Sequence, residues 1–302
     1  MMSSKRVLVT GANGFLGRYI CKELRKTHTV ETLGRSESTY NCDLGLQEFS
    51  FNDSFDLVVH AAGRAHIIPK TDIENRAFHD VNVNGTARLL RALELSSTLP
   101  KALVFISSVA VYGLEYGTLI SEKSPLGATD PYGRSKIDAE NIILAWCERN
   151  NVLCSILRLP LLAGTNPPGN LGSMINGIKS GFYFNIACGK AKKSVVLAED
   201  VAKLITKVAA VGGIYNLTDG YDPSFQELAS LIADQLNQNR PLNMPLFLAT
   251  LLGRIGDLIG KPFPLNTNKV KKMTNDLTFD DSKARTLLNW SPSRVIDSFK
   301  IQ

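Results

Sequence analysis

Residues 6–17 read RVLVTGANGFLG, an apolar and partly β-branched run that breaks into glycines at positions 11, 14 and 17. The run has the composition of a buried strand, and the glycines mark a tight turn into a helix beginning near Gly14. Runs of the same kind recur at residues 30–33, 57–60, 102–107 and 153–159, with amphipathic stretches between them and further helices expected near Phe78 and Tyr132. This alternation predicts an α/β fold, a doubly wound parallel sheet of the Rossmann type.

Past Pro160 the texture changes to AGTNPPGNLG and then, after a short helical stretch, to SVVLAEDVAKLI and GIYNLT. We expect residues 194–217 to return to the sheet. The dinucleotide-binding domain is then 1–163 plus 194–217, and a smaller, mostly helical substrate lobe comprises 164–193 plus 218–302. The most apolar segment, 244–260, contains Arg254 and Asp257 and falls short of the roughly 20 residues that span a bilayer. It reads as an amphipathic helix packed on the lobe, with contact to a membrane surface as the other reading.

With 302 residues, 44% of them hydrophobic, the chain can bury a large core without disulfides. Five scattered cysteines lack metal-ligand or CxxC spacing, so we expect reduced packing residues and no metal site. The N-terminus MMSSKR leaves no room for a signal peptide, which argues for a cytoplasmic chain. A net charge of +6 suits anionic ligands, yet there is no long basic block and no nucleic-acid-binding motif. Nucleotides fit better than nucleic acid.

The GxxGxxG array at the first strand-to-helix turn is the arrangement that brings backbone close to a pyrophosphate and sets its charge on a helix N-terminus. Gly11, Asn13, Gly14, Phe15, Leu16 and Gly17 are therefore candidate dinucleotide contacts. At the end of the second strand a NAD-preferring site offers a carboxylate to the ribose, whereas LGRS offers Gly34, Arg35 and Ser36. Arg35 and Ser36 suit the additional phosphate of NADP, and NADP is preferred over NAD on that ground; Arg35 stacking on adenine or lying in solvent are the other readings. Asp43, with Leu44 beside it, stands where a carboxylate would meet the adenine edge, or simply makes a turn.

FISSVAVYG puts Ser108 just beyond a buried strand, and DPYGRSK puts Tyr132 and Lys136 four residues apart on one helix face. A phenol transfers protons near neutrality only if positive charge stabilises its phenolate, a task for Lys136 and a nicotinamide. Ser108 would hold the reacting oxygen. His66 and His79 have no recognisable catalytic context and read as structural or solvated.

TGANGFLG, HAAG (60–63), NVNGT (82–86), SSVAVYG, PYGRSK, AEDVA (198–202) and SKARTLLNW occur in an order that resembles the NAD(P)-dependent epimerase/dehydratase family, the extended short-chain dehydrogenases. The resemblance spans nearly the whole chain and is greatest to UDP-sugar 4-epimerases and related 4-reductases of surface-polysaccharide synthesis. It implies that Ala61, Ala62 and Gly63 line the cofactor path and that Asn82 supports the cofactor. It further implies a nucleotide-diphosphate sugar substrate, UDP-linked, and a homodimer paired through the helices carrying the Tyr-Lys pair.

Family 4,6-dehydratases carry an Asp-Glu pair where this chain has Val109 and Ala110, so dehydration is excluded. The synthases that epimerise at C3 and C5 use a Cys/His pair, and SSVAVYG has no cysteine. Redox chemistry at C4 remains, as 4-keto reduction or 4-epimerisation, and Arg35 tilts the reading toward reduction. Two departures weaken transfer from the epimerases. Leu161 replaces a substrate-binding asparagine, and Lys193 stands for an arginine that grips the diphosphate. Asn170, in GNLG, matches an asparagine that often touches the diphosphate. The alternatives are a reductase of a non-sugar ketone, or a catalytically idle cofactor-binding regulator, which would not be expected to keep Ser108, Tyr132 and Lys136 together.

Overall fold

The computed structural model describes residues 5–65, 67, 69–260, 263 and 265–301. In chain order the first half comprises β1 (Arg6–Thr10), α1 (Phe15–Leu24), β2 (Thr29–Gly34), β3 (Tyr40–Asn41), β4 (Leu57–His60), α2 (Asp72–His79), a π-helical turn (Asp80–Asn84), α3 (Gly85–Glu94) and β5 (Ala102–Ser108). A 3₁₀ turn (Val109–Tyr112), β6 (Gly117–Ile120), α4 (Pro131–Arg149), β7 (Leu153–Leu159) and β8 (Leu161–Ala163) follow. The remainder runs α5 (Gly169–Lys179), β9 (Asn185–Ile186), β10 (Val195–Leu197), α6 (Ala198–Val211), β11 (Gly213–Asn216), α7 (Phe225–Gln235), β12 (Asn243–Met244), α8 (Leu246–Ile259), α9 (Thr267–Thr274), β13 (Leu277–Phe279), α10 (Ser282–Leu288) and α11 (Val295–Ser298).

Seven parallel strands form one sheet in the order β11-β7-β5-β4-β1-β2-β3. Helix α1 buries Leu16, Ile20 and Leu24 at four-residue spacing and packs with α6 on one face. Leu89 and Leu93 of α3 and Ile143 and Trp146 of α4 cover the other. Because β2 and β4 flank β1 on opposite sides, a crevice opens at the carboxyl ends of β1 and β4, where such sheets bind ligands.

One helix starts earlier than its apolar pattern suggests. The helix expected near Phe78 begins at Asp72, because the Thr71 side chain accepts a hydrogen bond from the Glu74 amide and caps it. Strand β11 joins the sheet beside β7, while β10 pairs with β8 in a separate two-stranded sheet. Residues 282–290, assigned to the lobe from sequence, pack Ala284, Leu288 and Trp290 into the core beside α1 and α6. The lobe itself is built on α5, α7 and α11, with Leu171, Met174, Ile178, Leu228, Ile232, Val295 and Phe299 buried together.

Helix α8 packs differently from the expected amphipathic helix. Its inward face is Ala249, Gly253 and Gly256, and its large apolar residues face outward. The reason is a close backbone crossing, since a side chain at Gly256 would lie 1.8 Å from the Leu265 carbonyl oxygen. Among the described residues no helix is long and apolar enough to cross a membrane.

Candidate active site

The cradle at the end of β1 admits glycine alone at two positions. Gly11 has φ +69°, and a β-carbon there would stand 2.6 Å from the Ala62 amide nitrogen; one at Gly17 would stand 2.1 Å from the Gly11 carbonyl. The Gly14 amide donates to the Gly11 carbonyl at 2.9 Å, closing the turn. Helix α1 starts with no side-chain cap and no acidic residue in its first turn, so the amides of Phe15, Leu16 and Gly17 form an anion-binding end. The Asn13 side chain donates to the Ser36 carbonyl at 2.8 Å, tying this turn to the end of β2. The set fits the pyrophosphate of a dinucleotide, and Ala61, Ala62 and Gly63 follow directly at the end of β4, against the Gly11 turn.

Arg35 is exposed and makes no hydrogen bond or ion pair among the described residues. The turn after β2 is longer than LGRS indicates and reaches Glu37, which corrects the reading that it holds no carboxylate. Glu37, at φ +51°, lines a cleft of about 230 Å³ with Asn13, Arg18, Lys22, Arg25 and Thr32. Two cations of α1 and Arg25 just past its end therefore line the same cleft as one carboxylate, beside the expected ribose position, and neither Arg18 nor Glu37 was singled out from sequence. Spacing conceals them because Arg18 belongs to the helix and Glu37 to a left-handed turn. Past the end of β3, the Asp43 carboxylate accepts from the Gly45 amide at 2.9 Å, the turn that the sequence also allows, and Leu44 is buried with its carbonyl bonded to Arg88.

Ser108 closes β5 and caps the 3₁₀ turn, its hydroxyl accepting from the Ala110 amide at 3.2 Å. Helix α4 is fixed at its start by Pro131 at the first turn and by the Asp130 carboxylate on the Gly133 amide, at 3.0 Å. That places Tyr132, Lys136 and Glu140 on one face against the sheet. Burial raises the Tyr132 phenol above its ordinary pKa, the Ser108 hydroxyl opposes this, and Asp130 adds to it. The expected depression by Lys136 is absent from the protein alone, because the ammonium donates to the Ile106 carbonyl at 2.8 Å and sits 4.6 Å from the Phe105 ring centre. Lys136 is 5% exposed, and burial pushes it down to about 8, against the pull of Glu140.

Gly63 joins the two halves of the site, since a β-carbon there would lie 3.3 Å from the Lys136 ammonium and 3.2 Å from the Asn82 amide oxygen. Asn82 accepts from the Arg64 amide at 2.7 Å and donates to the Arg64 carbonyl and the Ser135 hydroxyl. Its amide thus shapes the loop beside the ammonium. Behind it, Thr86 donates to the Asn82 carbonyl and so receives the Nε2 proton of His60, whose Nδ1 accepts from Thr10. The ring is neutral, held down to about 3 by burial and then by Lys136.

A second buried network backs the candidate catalytic residues. Arg158 of β7 meets Glu140 through two nitrogens, at 2.7 and 3.2 Å, and Ser107 donates to the same carboxylate. Arg158 also donates to Tyr112, which donates to Asn216 of β11 at 2.8 Å. The sequence signal for Glu140 was its place four residues beyond Lys136.

The proposed substrate residues are spread over the lobe. Asn170 is exposed on the first turn of α5. Leu161 packs with the lobe core. Lys193 is buried, pushed down to about 8 by that burial, and donates to the Asn275 carbonyl at 3.0 Å, so a diphosphate would have to displace this bond. His79 is exposed, and His66 lies outside the described residues. No group of His, Cys, Asp and Glu able to hold a metal occurs among the described residues. Cys21, Cys42 and Cys147 are buried, Cys154 is half-buried and Cys188 is exposed, all as free thiols.

The model of the NAD dependent epimerase/dehydratase family matches residues 7–218. An N-acetyl-α-D-glucosaminyl-diphospho-ditrans,octacis-undecaprenol 4-epimerase of Escherichia coli O157:H7 is 27% identical over 301 residues, covering 93% of this chain and 88% of its own. A UDP-glucose 4-epimerase of Vibrio cholerae is 26% identical over 319 residues, covering 98% and 94%. Among solved structures, RMD from Pseudomonas aeruginosa complexed with NADPH superposes with a TM-score of 0.72 at 21% identity, over 97% of this chain and 95% of that one. The Thermus thermophilus UDP-glucose 4-epimerase complexed with NAD gives 0.70 at 20%, over 95% and 94%. The family match covers the glycine turn, Ser108 and the Tyr-Lys helix alike, and the chain belongs to the NAD-dependent epimerase/dehydratase family of enzymes.

Proposed function

We propose that the protein interconverts epimers at C4 of a sugar carried on a diphosphate, a step in making surface-polysaccharide precursors. The observation that carries this is one proton-moving phenol, Tyr132, with the Ser108 hydroxyl acting on it, and with Val109 and Ala110, which move no protons, next in the chain after Ser108. Such a site suits removal and return of hydrogen at one carbon and lacks the second acid and base of an elimination. The 4-epimerase names of the relatives support it, one with a nucleotide carrier and one with a polyprenyl carrier.

In this reading Gly11, Gly14, Gly17 and the α1 amides hold the dinucleotide pyrophosphate. The nicotinamide, when bound, supplies the hydride acceptor and donor. Tyr132 takes the proton from the C4 hydroxyl and later gives it back. Ser108 holds that oxygen, and Lys136 anchors the nicotinamide ribose while its charge favours the phenolate. Asn170 and Lys193 receive the diphosphate.

A second reading, NADPH-dependent reduction of a 4-keto sugar, is favoured by Arg35 and by Arg18, Lys22 and Arg25 in the ribose cleft. The test is to denature the purified protein, identify the released nucleotide, and assay UDP-N-acetylhexosamines, their polyprenyl-diphosphate counterparts and a 4-keto-6-deoxy sugar. Retained NAD(P) with C4 interconversion and no net cofactor consumption is expected. Stoichiometric NADPH consumption on the keto sugar establishes reduction instead, and inactivity on all of them points to a ketone without a diphosphate.

A further inference from the structure

Helix α8 carries its apolar face on the outside. Phe247, Leu251 and Leu258 are 76%, 55% and 89% exposed, and Leu248, Ile255 and Ile259 are also exposed. At about 100° per residue these six side chains form one unbroken outward arc of about 120°, opposite Ala249, Gly253 and Gly256. Two more exposed apolar residues lie just ahead of the helix. Strand β12 pairs with β9, and the Asn185 amide donates to the Leu242 carbonyl at 2.9 Å, which brings exposed Leu242 and Phe184 together before α8 begins. So large an apolar face on the outside of a chain marks an interaction surface.

Charge decides what covers it. Between residues 242 and 275 the sequence has Arg254, Lys261, Lys269, Lys271 and Lys272 against the lone acid Asp257, whose carboxylate is taken up by Thr267. Arg254 borders the apolar arc, and α9, carrying exposed Lys269, Lys271 and Lys272, packs against α8 through Val270 and Ala249; Lys272 also reaches Glu115 at 3.6 Å. Two copies meeting face to face through α8 would press these basic segments together.

We propose that the outer face of α8 docks on an anionic lipid bilayer. The 14-residue helix is too short to span and lies in the plane of the interface, with Phe247, Leu251 and Leu258 among the acyl chains and the basic side chains at the headgroups. The proposal is independent of the reaction assigned above, and its test needs neither sugar nor cofactor.

The full chain is sedimented with vesicles of phosphatidylcholine alone or mixed equally with phosphatidylglycerol, at low and high salt. We expect binding to the anionic vesicles, weakened by salt, and reduced about tenfold or more in a Phe247→Ser/Leu251→Ser/Leu258→Ser variant. An Arg254→Glu/Lys271→Glu variant, which leaves the apolar face intact, is expected to lose the preference for phosphatidylglycerol. A chain that stays in the supernatant with both vesicle types overturns the proposal, and so does sedimentation unchanged in both variants. Light scattering that shows a dimer dissolved by the triple substitution also overturns it and assigns the face to a second copy.

Discussion

Lys136 keeps a positive charge almost out of water, with one carbonyl and one aromatic ring for company. A pKa lowered from 10.5 to about 8 corresponds to about 3 kcal/mol of native-state destabilisation at neutral pH, relieved as pH rises from about 8 toward 10.5. Lys136→Met is therefore expected to abolish turnover while raising unfolding free energy by about 1–3 kcal/mol, measured by denaturant titration at pH 7. His60 works in the other pH range. Its folded pKa of about 3 lies below the unfolded value near 6.5, so the native state loses stability as pH falls below 6.5, by up to about 1.4 kcal/mol per pH unit until about 3. In His60→Gln this component of the slope is expected to vanish when unfolding is compared at pH 7 and pH 5. Residue identities at the centre of the site were legible because Ser108, Tyr132 and Lys136 carry chemistry at fixed spacing. The environments that tune them were not, since the Ile106 carbonyl and the Phe105 ring reach Lys136 only through the sheet.

At the scale of elements, the Arg158–Glu140 pair fastens α4 to β7, and Ser107 and Tyr112 bring β5 and the 3₁₀ turn into the same network. Arg158→Met leaves a buried carboxylate without its partner and is expected to cost about 3–5 kcal/mol of stability. The double variant Arg158→Met/Glu140→Leu is expected to recover much of that loss, which a double-mutant cycle in denaturant measures. Strands β1, β4 and β7 were legible with their bounds because buried parallel strands are continuous apolar runs ended by turn residues. The start of α2 was not, because its signal is the polar pair Thr71 and Glu74, seven and four residues ahead of the first buried side chain, Phe78.

For the whole molecule, the alternation of strands and helices disclosed the sheet, and the glycine turn disclosed which end of it binds. The lobe was harder to read, because its segments are stitched to the sheet by contacts remote in sequence: β13 on β6, and Trp290 donating to the Thr218 carbonyl. The orientation of α8 was hidden for a related reason. A pattern of apolar residues tells which side of a helix avoids water and leaves open whether protein or something else covers it.

The π turn between α2 and α3 bears on how the chain can change length. One residue more than a regular helix needs is accommodated there, and Asn82 sits within it. Deleting that residue would turn the segment into regular helix with α3 still in phase, leaving Leu89 and Leu93 against the sheet. What the extra residue supplies is the widened turn that presents the Asn82 side chain to the Arg64 backbone and Ser135, so this segment can shorten without disturbing the core and only at the expense of that local geometry.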